Sequence, residues 1–167
     1  DGTGTSGLGN TALASQTVNV TGGVYRLASP NTLTSPVSLG ITHVGQAFGT
    51  AAVSISNTAT ADAFSEGLDA VVTGSTADGT ASGSVSNVVA GGSSGLGNQI
   101  TVGLGTADTS VAGARTGTVT IGFSSDGATT SGLGVTALTG PTASQTRDSR
   151  AAHRCGRERC RTSPGGA

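Results

Sequence analysis

The sequence predicts an all-β chain, a two-sheet antiparallel sandwich of about seven strands. Three observations carry that expectation. Short runs alternate apolar residues with Ser, Thr and Gly, and such period-two patterning sets one face on a core and the other in water. Gly, Ser, Asn or Asp bounds each run, as turns require. No stretch carries apolar residues at helical spacing, and 29 glycines among 167 residues oppose long helices.

The runs follow in order. Val18, Val20, Val24 and Leu27 mark the first, and Val37, Leu39 and Ile41 the second. Val53 with Ile55 comes next, then Val71-Val72, then Val85 with Val88-Val89. Ile100, Val102 and Leu104 alternate cleanly, as do Val119, Ile121 and Phe123. Asp78-Gly79 and Asp126-Gly127 are good turn dipeptides. The expected inward set is Val37, Leu39, Ile41, Val53, Ile55, Ile100, Val102, Val119, Ile121 and Phe123. A parallel β-solenoid is the alternative, because Gly-Leu-Gly recurs at Gly95–Gly97. A solenoid repeats every ~20–30 residues, however, and nothing beyond that tripeptide aligns at such a spacing.

Composition bounds the rest. Leu, Ile, Val and Phe make up just under a fifth of the chain, but the net charge is only −1, so the disorder signature is half absent. There is no apolar run long enough to span a membrane as a helix. No cysteine occurs through Thr146, so no disulfide holds that part together.

The chain also repeats itself. Asp1-Gly-Thr-Gly-Thr-Ser-Gly-Leu-Gly-Asn-Thr-Ala-Leu13 returns as Asp126-Gly-Ala-Thr-Thr-Ser-Gly-Leu-Gly-Val-Thr-Ala-Leu138, a spacing of 125 residues. That is the size of a domain rather than of a solenoid coil. The expected layout is a closing strand and linker of a preceding repeat over residues 1–29, a sandwich module without its last strand over 30–146, and a basic disordered tail over 147–167. The segment Thr17–Leu27, chemically the missing strand, is then expected to fold back into the open slot or to donate to a neighbouring chain.

Val37-Ser-Leu-Gly-Ile-Thr-His-Val-Gly45 followed by Ala52-Val-Ser-Ile-Ser-Asn57-Thr58 resembles the opening of ASH/Hydin-like immunoglobulin-like domains. Ala112-Gly113-Ala-Arg-Thr-Gly-Thr-Val-Thr-Ile-Gly-Phe-Ser-Ser-Asp126 resembles their penultimate strand, and Val18–Ala28 the closing strand and linker of a previous copy. Together they are similar to bacterial choice-of-anchor-D secreted repeat proteins. The resemblance implies an immunoglobulin-like sandwich, an extracellular or cell-surface location, a structural or adhesive role, and no catalytic residues.

After Thr146 the composition changes. The body holds two arginines against seven acids, a charge of −5; the tail holds six arginines against Asp148 and Glu158, +4. A basic arm for nucleic acid or an anionic surface is one reading of it. A partial metal site at His153, Cys155 and Cys160 is another, though zinc needs four ligands. A shift of reading frame is the third and fits the abrupt break best, since Ser15-Gln16-Thr17 continues into Val18-Asn19-Val20 while Ser144-Gln145-Thr146 continues into Arg147-Asp148-Ser149. No nucleic-acid partner is therefore expected.

Candidate sites are few. His43 has no acid or cysteine near it in sequence and reads as an edge residue. Asp62, Glu66 and Asp69 lack the ligand spacing of a calcium loop and read as a solvated loop. Gly92–Gly97 and Thr5–Gly9 lack the Lys-Ser/Thr ending of a phosphate loop and read as turns. Asn19-Val20-Thr21 fits a glycosylation sequon inside an expected strand. Tyr25 is expected to pack near the linker. No catalytic, cofactor-binding or metal residues are assigned. The expected function is that of a spacer or display module, with a carbohydrate- or surface-binding module as the alternative.

Overall fold

The computed structural model describes residues 3–139, and the 147–167 tail lies outside them. The described residues contain six strands and no helix, close to the strand number expected. They are β1 (Thr50–Val53), β2 (Gly67–Ala77), β3 (Thr80–Val88), β4 (Ile100–Gly103), β5 (Gly117–Asp126) and β6 (Val135–Leu138). All strand pairs are antiparallel, in the order β1-β4-β3-β2-β5-β6. That pairing excludes a parallel solenoid.

The ladder folds into two layers because β3 changes partner along its length. Its first half, Thr80–Gly83, pairs with β4, whereas Ser84, Val85 and Val88 pair with β2. The β2–β3 hairpin therefore splays beyond Val71, where the end of β2 pairs only with β5. One layer is β1-β4 with the start of β3, and the other is the end of β3 with β2, β5 and β6. A strand that bends from one sheet into the other is how sandwich corners are made. At the splayed tip Gly79 and Gly117 pass backbone to backbone, leaving no room for a Cβ on either.

Between the layers lie Leu68, Ala70, Val85 and Val88 from β2 and β3, Ile100 and Val102 from β4, and Val119, Ile121 and Phe123 from β5, all buried. Val53 and Ile55 close the core beside β1, with Ala28 and Leu33 from the incoming segment. Of the expected inward set, Val53, Ile55, Ile100, Val102, Val119, Ile121 and Phe123 are buried. Ile121 is 2% exposed, and Ile121→Ala should cost ~2–4 kcal/mol, read from a denaturant or thermal melt.

Two expectations are corrected. Val37–Ile41 is not a strand: Val37 and Leu39 lie half-buried over the core's end beside Val102, Leu104 and Val119, while Ile41 is 91% exposed. Gly40, at φ 80°, breaks the extended run, so Ile41 leaves the face its neighbours share. Nor does Thr17–Leu27 fold back into the sheet. Val18, Val20 and Val24 are 83–90% exposed, and only Arg26 makes a bridge, to Ser65.

Candidate functional site

Among the described residues a dense set of hydrogen bonds gathers where the incoming segment, residues 25–31, meets one pole of the sandwich. It begins with Tyr25, whose ring packs on Phe64 at 5.5 Å between centroids and 59° between planes. Arg26 donates its amide to the Phe64 carbonyl at 2.7 Å and accepts from the Glu66 amide at 3.0 Å. Its guanidinium reaches Asp62 Oδ2 at 3.0 Å and Ser65 Oγ at 2.8 Å.

Beneath this contact lie two buried polar side chains. Asn57 is 1% exposed, and its amide makes four hydrogen bonds: Oδ1 accepts from the amides of Ser29 and Ala59, and Nδ2 donates to the carbonyls of Glu66 and Val88. Glu66 is 2% exposed and accepts the hydroxyls of Ser125 at 2.7 Å and Ser131 at 2.6 Å. Ser125 in turn accepts the Ala28 amide at 2.8 Å. The chain from Ala28 through Ser125 to Glu66 and on to Asn57 thus joins the incoming segment to β5, to the start of β2 and to the end of β3. Among the described residues no buried side-chain N or O lacks a partner.

Outside this pair, Thr58 and Asn31 complete the seam. Thr58 donates its amide to the Ser29 carbonyl at 2.7 Å, and its hydroxyl meets Ser29 again. Asn31 bonds Ser56 through both its amide and its side chain, and also reaches the Ser54 carbonyl. Each bond contributes a net of about 0.5–1.5 kcal/mol, but a buried partner left unpaired costs more, so the seam holds as a set.

The structure sets the candidates read from the sequence apart from one another. Asp62, Glu66 and Asp69 do not converge: Asp62 holds Arg26 and the Phe64 amide, Glu66 is buried in the network, and Asp69 accepts the Asn87 amide at a bulge in β3. The expectation that Glu66 lies in a solvated loop is thereby corrected. No group of three metal-ligating residues occurs among the described residues. His43 is exposed in a turn whose carbonyl accepts Gln46. Gly92–Gly97 carries the Ser56–Ser93 bridge and a tight turn closed by the Gly95–Asn98 bridge, Thr5–Gly9 is exposed, and Asn19 lies in an exposed extended stretch rather than in a strand. Tyr25 does pack near the linker, against Phe64.

The Arg26 guanidinium, helped by the Phe64 amide, holds the Asp62 carboxyl below its ordinary value of 3.8. Its folded pKa is depressed, so its contribution is present above that ordinary value and is lost as pH falls through the folded pKa. An NMR titration should show the Asp62 carboxyl resonance moving at lower pH than in an Arg26→Gln variant. Equal midpoints would dismiss the ion pair.

Sequence patterning held a signal for Glu66 and Ser125 that the loop reading missed. Glu66 falls two residues before Leu68 and four before Ala70, the inward positions of β2, and Ser125 follows Val119, Ile121 and Phe123 at the same period. Compared with known proteins, the chain matches no protein family, no curated sequence and no solved structure.

Proposed function

We propose that this chain is a structural or adhesive repeat module of a secreted or cell-surface bacterial protein, acting as a spacer or display domain. The observation that carries the reading is the seam at Asn57 and Glu66, taken with the domain-scale repeat. The segment following the first repeat copy is fastened to the sandwich by the buried side chains of Ser125 in β5 and of Asn57 after β1, with Glu66 holding Ser125 from behind, where tension along the chain would be applied. The similarity to ASH/Hydin-like domains of choice-of-anchor-D proteins points the same way. The reading assigns no catalytic role and no cofactor.

Pulling the full chain from its two ends in an optical trap tests it. The domain should give one resolved rupture releasing roughly 350 Å, from ~110 residues at about 3.6 Å each less the folded span. Extension without resistance would remove the spacer reading. Sequencing the coding DNA across the Thr146 codon and well downstream should show a neighbouring frame continuing into further copies of the module.

A second reading, a carbohydrate- or surface-binding module, has one observation in its favour. Phe64, 51% exposed and packed at a tilt on Tyr25, lies between Ala63 and Ser65, which help line a shallow cleft of about 490 Å³ with Asp62, Asn87 and Val89. Aromatic rings beside polar groups suit sugar faces. A glycan array separates the two: a Phe64-dependent signal favours binding, and a blank array favours the spacer.

A further inference from the structure

We infer that the outer edge of β6 is a docking site for the Val18–Val24 strand of a second copy of this chain. The inference deepens the array reading and rests on it, since it takes its donor from the first repeat copy.

Among the described residues the acceptor is an open edge. β6 pairs on one side with β5, from Phe123↔Leu138 to Asp126↔Val135, and no described residue pairs with its other side. It carries none of the devices that blunt an edge, having no charge, no proline and no bulge in Val135-Thr-Ala-Leu138. Val135 is 62% exposed. At the opposite edge the chain that continues β1 is covered by Pro30 and Asn31 at Ser54, Ser56 and Asn57, while β1 itself pairs only with β4 among the described residues; what singles out β6 is the repeat.

The donor is an unpaired strand sequence. Val18 and Val20 are 83% and 90% exposed, alternate with Asn19 and Thr21, and Val18–Val24 takes no hydrogen bond among the described residues. The repeat pairs donor with acceptor. Asn10-Thr-Ala-Leu13 is the counterpart of β6, so Val18–Val24 is the stretch that follows a β6-type strand in sequence, at hairpin distance. Antiparallel addition to β6 would run the donor toward the pole where Arg26 is fixed.

A second copy is favoured over the chain's own segment by position. Arg26 is held at Phe64 and Glu66, just before β2, and β5 and β6 stand between β2 and the open edge. A place beyond β6 is three strand spacings away, roughly 14 Å, or about four extended residues. The chain's own stretch does not make that crossing: Val18, Val20 and Val24 stand 83–90% exposed and take no hydrogen bond among the described residues.

Sedimentation equilibrium of the full chain under reducing conditions, beside a V20P variant, tests this. Proline at an exposed position leaves the isolated fold intact and removes a ladder donor. The full chain should associate with concentration, with chemical shifts moving at Val135–Leu138, and V20P should raise the dissociation constant at least about tenfold without changing the melt of the dilute monomer. A monomer at every concentration overturns the inference, and the spacer reading, tested by pulling, is untouched. A lower melting temperature of monomeric V20P, independent of concentration, overturns it in favour of the chain's own strand. Association that moves shifts elsewhere, at β1 or around Phe64, overturns it in favour of another surface.

Discussion

Asn57→Ala is expected to lower stability by about 3–4 kcal/mol, a large share of what a domain this size holds. Truncation removes the partner of the Ser29 and Ala59 amides and of the Glu66 and Val88 carbonyls at once. All four lie at a buried pole, where replacement by water needs a cavity that alanine only partly opens. The melting temperature should fall by ~10–15 °C. Asn57→Asp is the sharper control. It keeps the shape and the Oδ1 that accepts both amides but loses the two N–H donors of Nδ2, and it sets a second carboxylate near buried Glu66. It should be at least as damaging as alanine. An Asp variant with wild-type stability would mean that volume, not hydrogen bonding, is what the site requires. The loss should also be local first: hydrogen exchange at Ala28 and Ser29 should quicken more than at Ile121, since the seam fastens the incoming segment.

Gly83→Val should be among the most disruptive single changes in the described residues. Gly83 sits where β3 leaves β4, at φ 86°, and a Cβ there would stand 2.3 Å from the Gln99 carbonyl oxygen. The left-handed backbone alone strains a branched residue by about 1–3 kcal/mol. The collision is with backbone, so no rotamer relieves it. The corner between the layers must open, and the loss should exceed about 4 kcal/mol, leaving little cooperative melting. Gly95→Ala is the matched control. Its Cβ meets nothing within 4 Å, and the change should stay within about 0.5 kcal/mol. Gly83→Val that melts like wild type would contradict the sheet-switching geometry of β3.

The strands most legible in the sequence are β4 and β5, where β-branched and aromatic residues alternate with small polar ones and the inward residues meet a facing layer. Val37–Ile41 shows the same alternation and forms no strand. Alternation says which residues share a face; it does not supply a partner edge, and Gly40 turns the chain before Ile41 can join one. The Val18–Leu27 run fails for the first of these reasons alone. The seam was hidden differently. Asn57 draws its partners from residues 29, 59, 66 and 88, and no local pattern connects those positions. Glu66 was within reach of sequence, since period two carries it onto the inward face of β2. A carboxylate next to Ser65 and Gly67 nonetheless looks like surface until Ser125 and Ser131 are seen to meet it. The three acids at 62, 66 and 69 are close in sequence and have three unrelated employments, because a strand start sends alternate side chains to opposite faces.

With β3 serving both layers, neither layer is a unit that can dissolve by itself. Losing β1 and β4 would strip one half of β3, and losing β5 would strip β2, the strand that pairs with its other half. Unfolding therefore has no stable halfway station, and length is released from this chain in one quantum, the size of the whole domain.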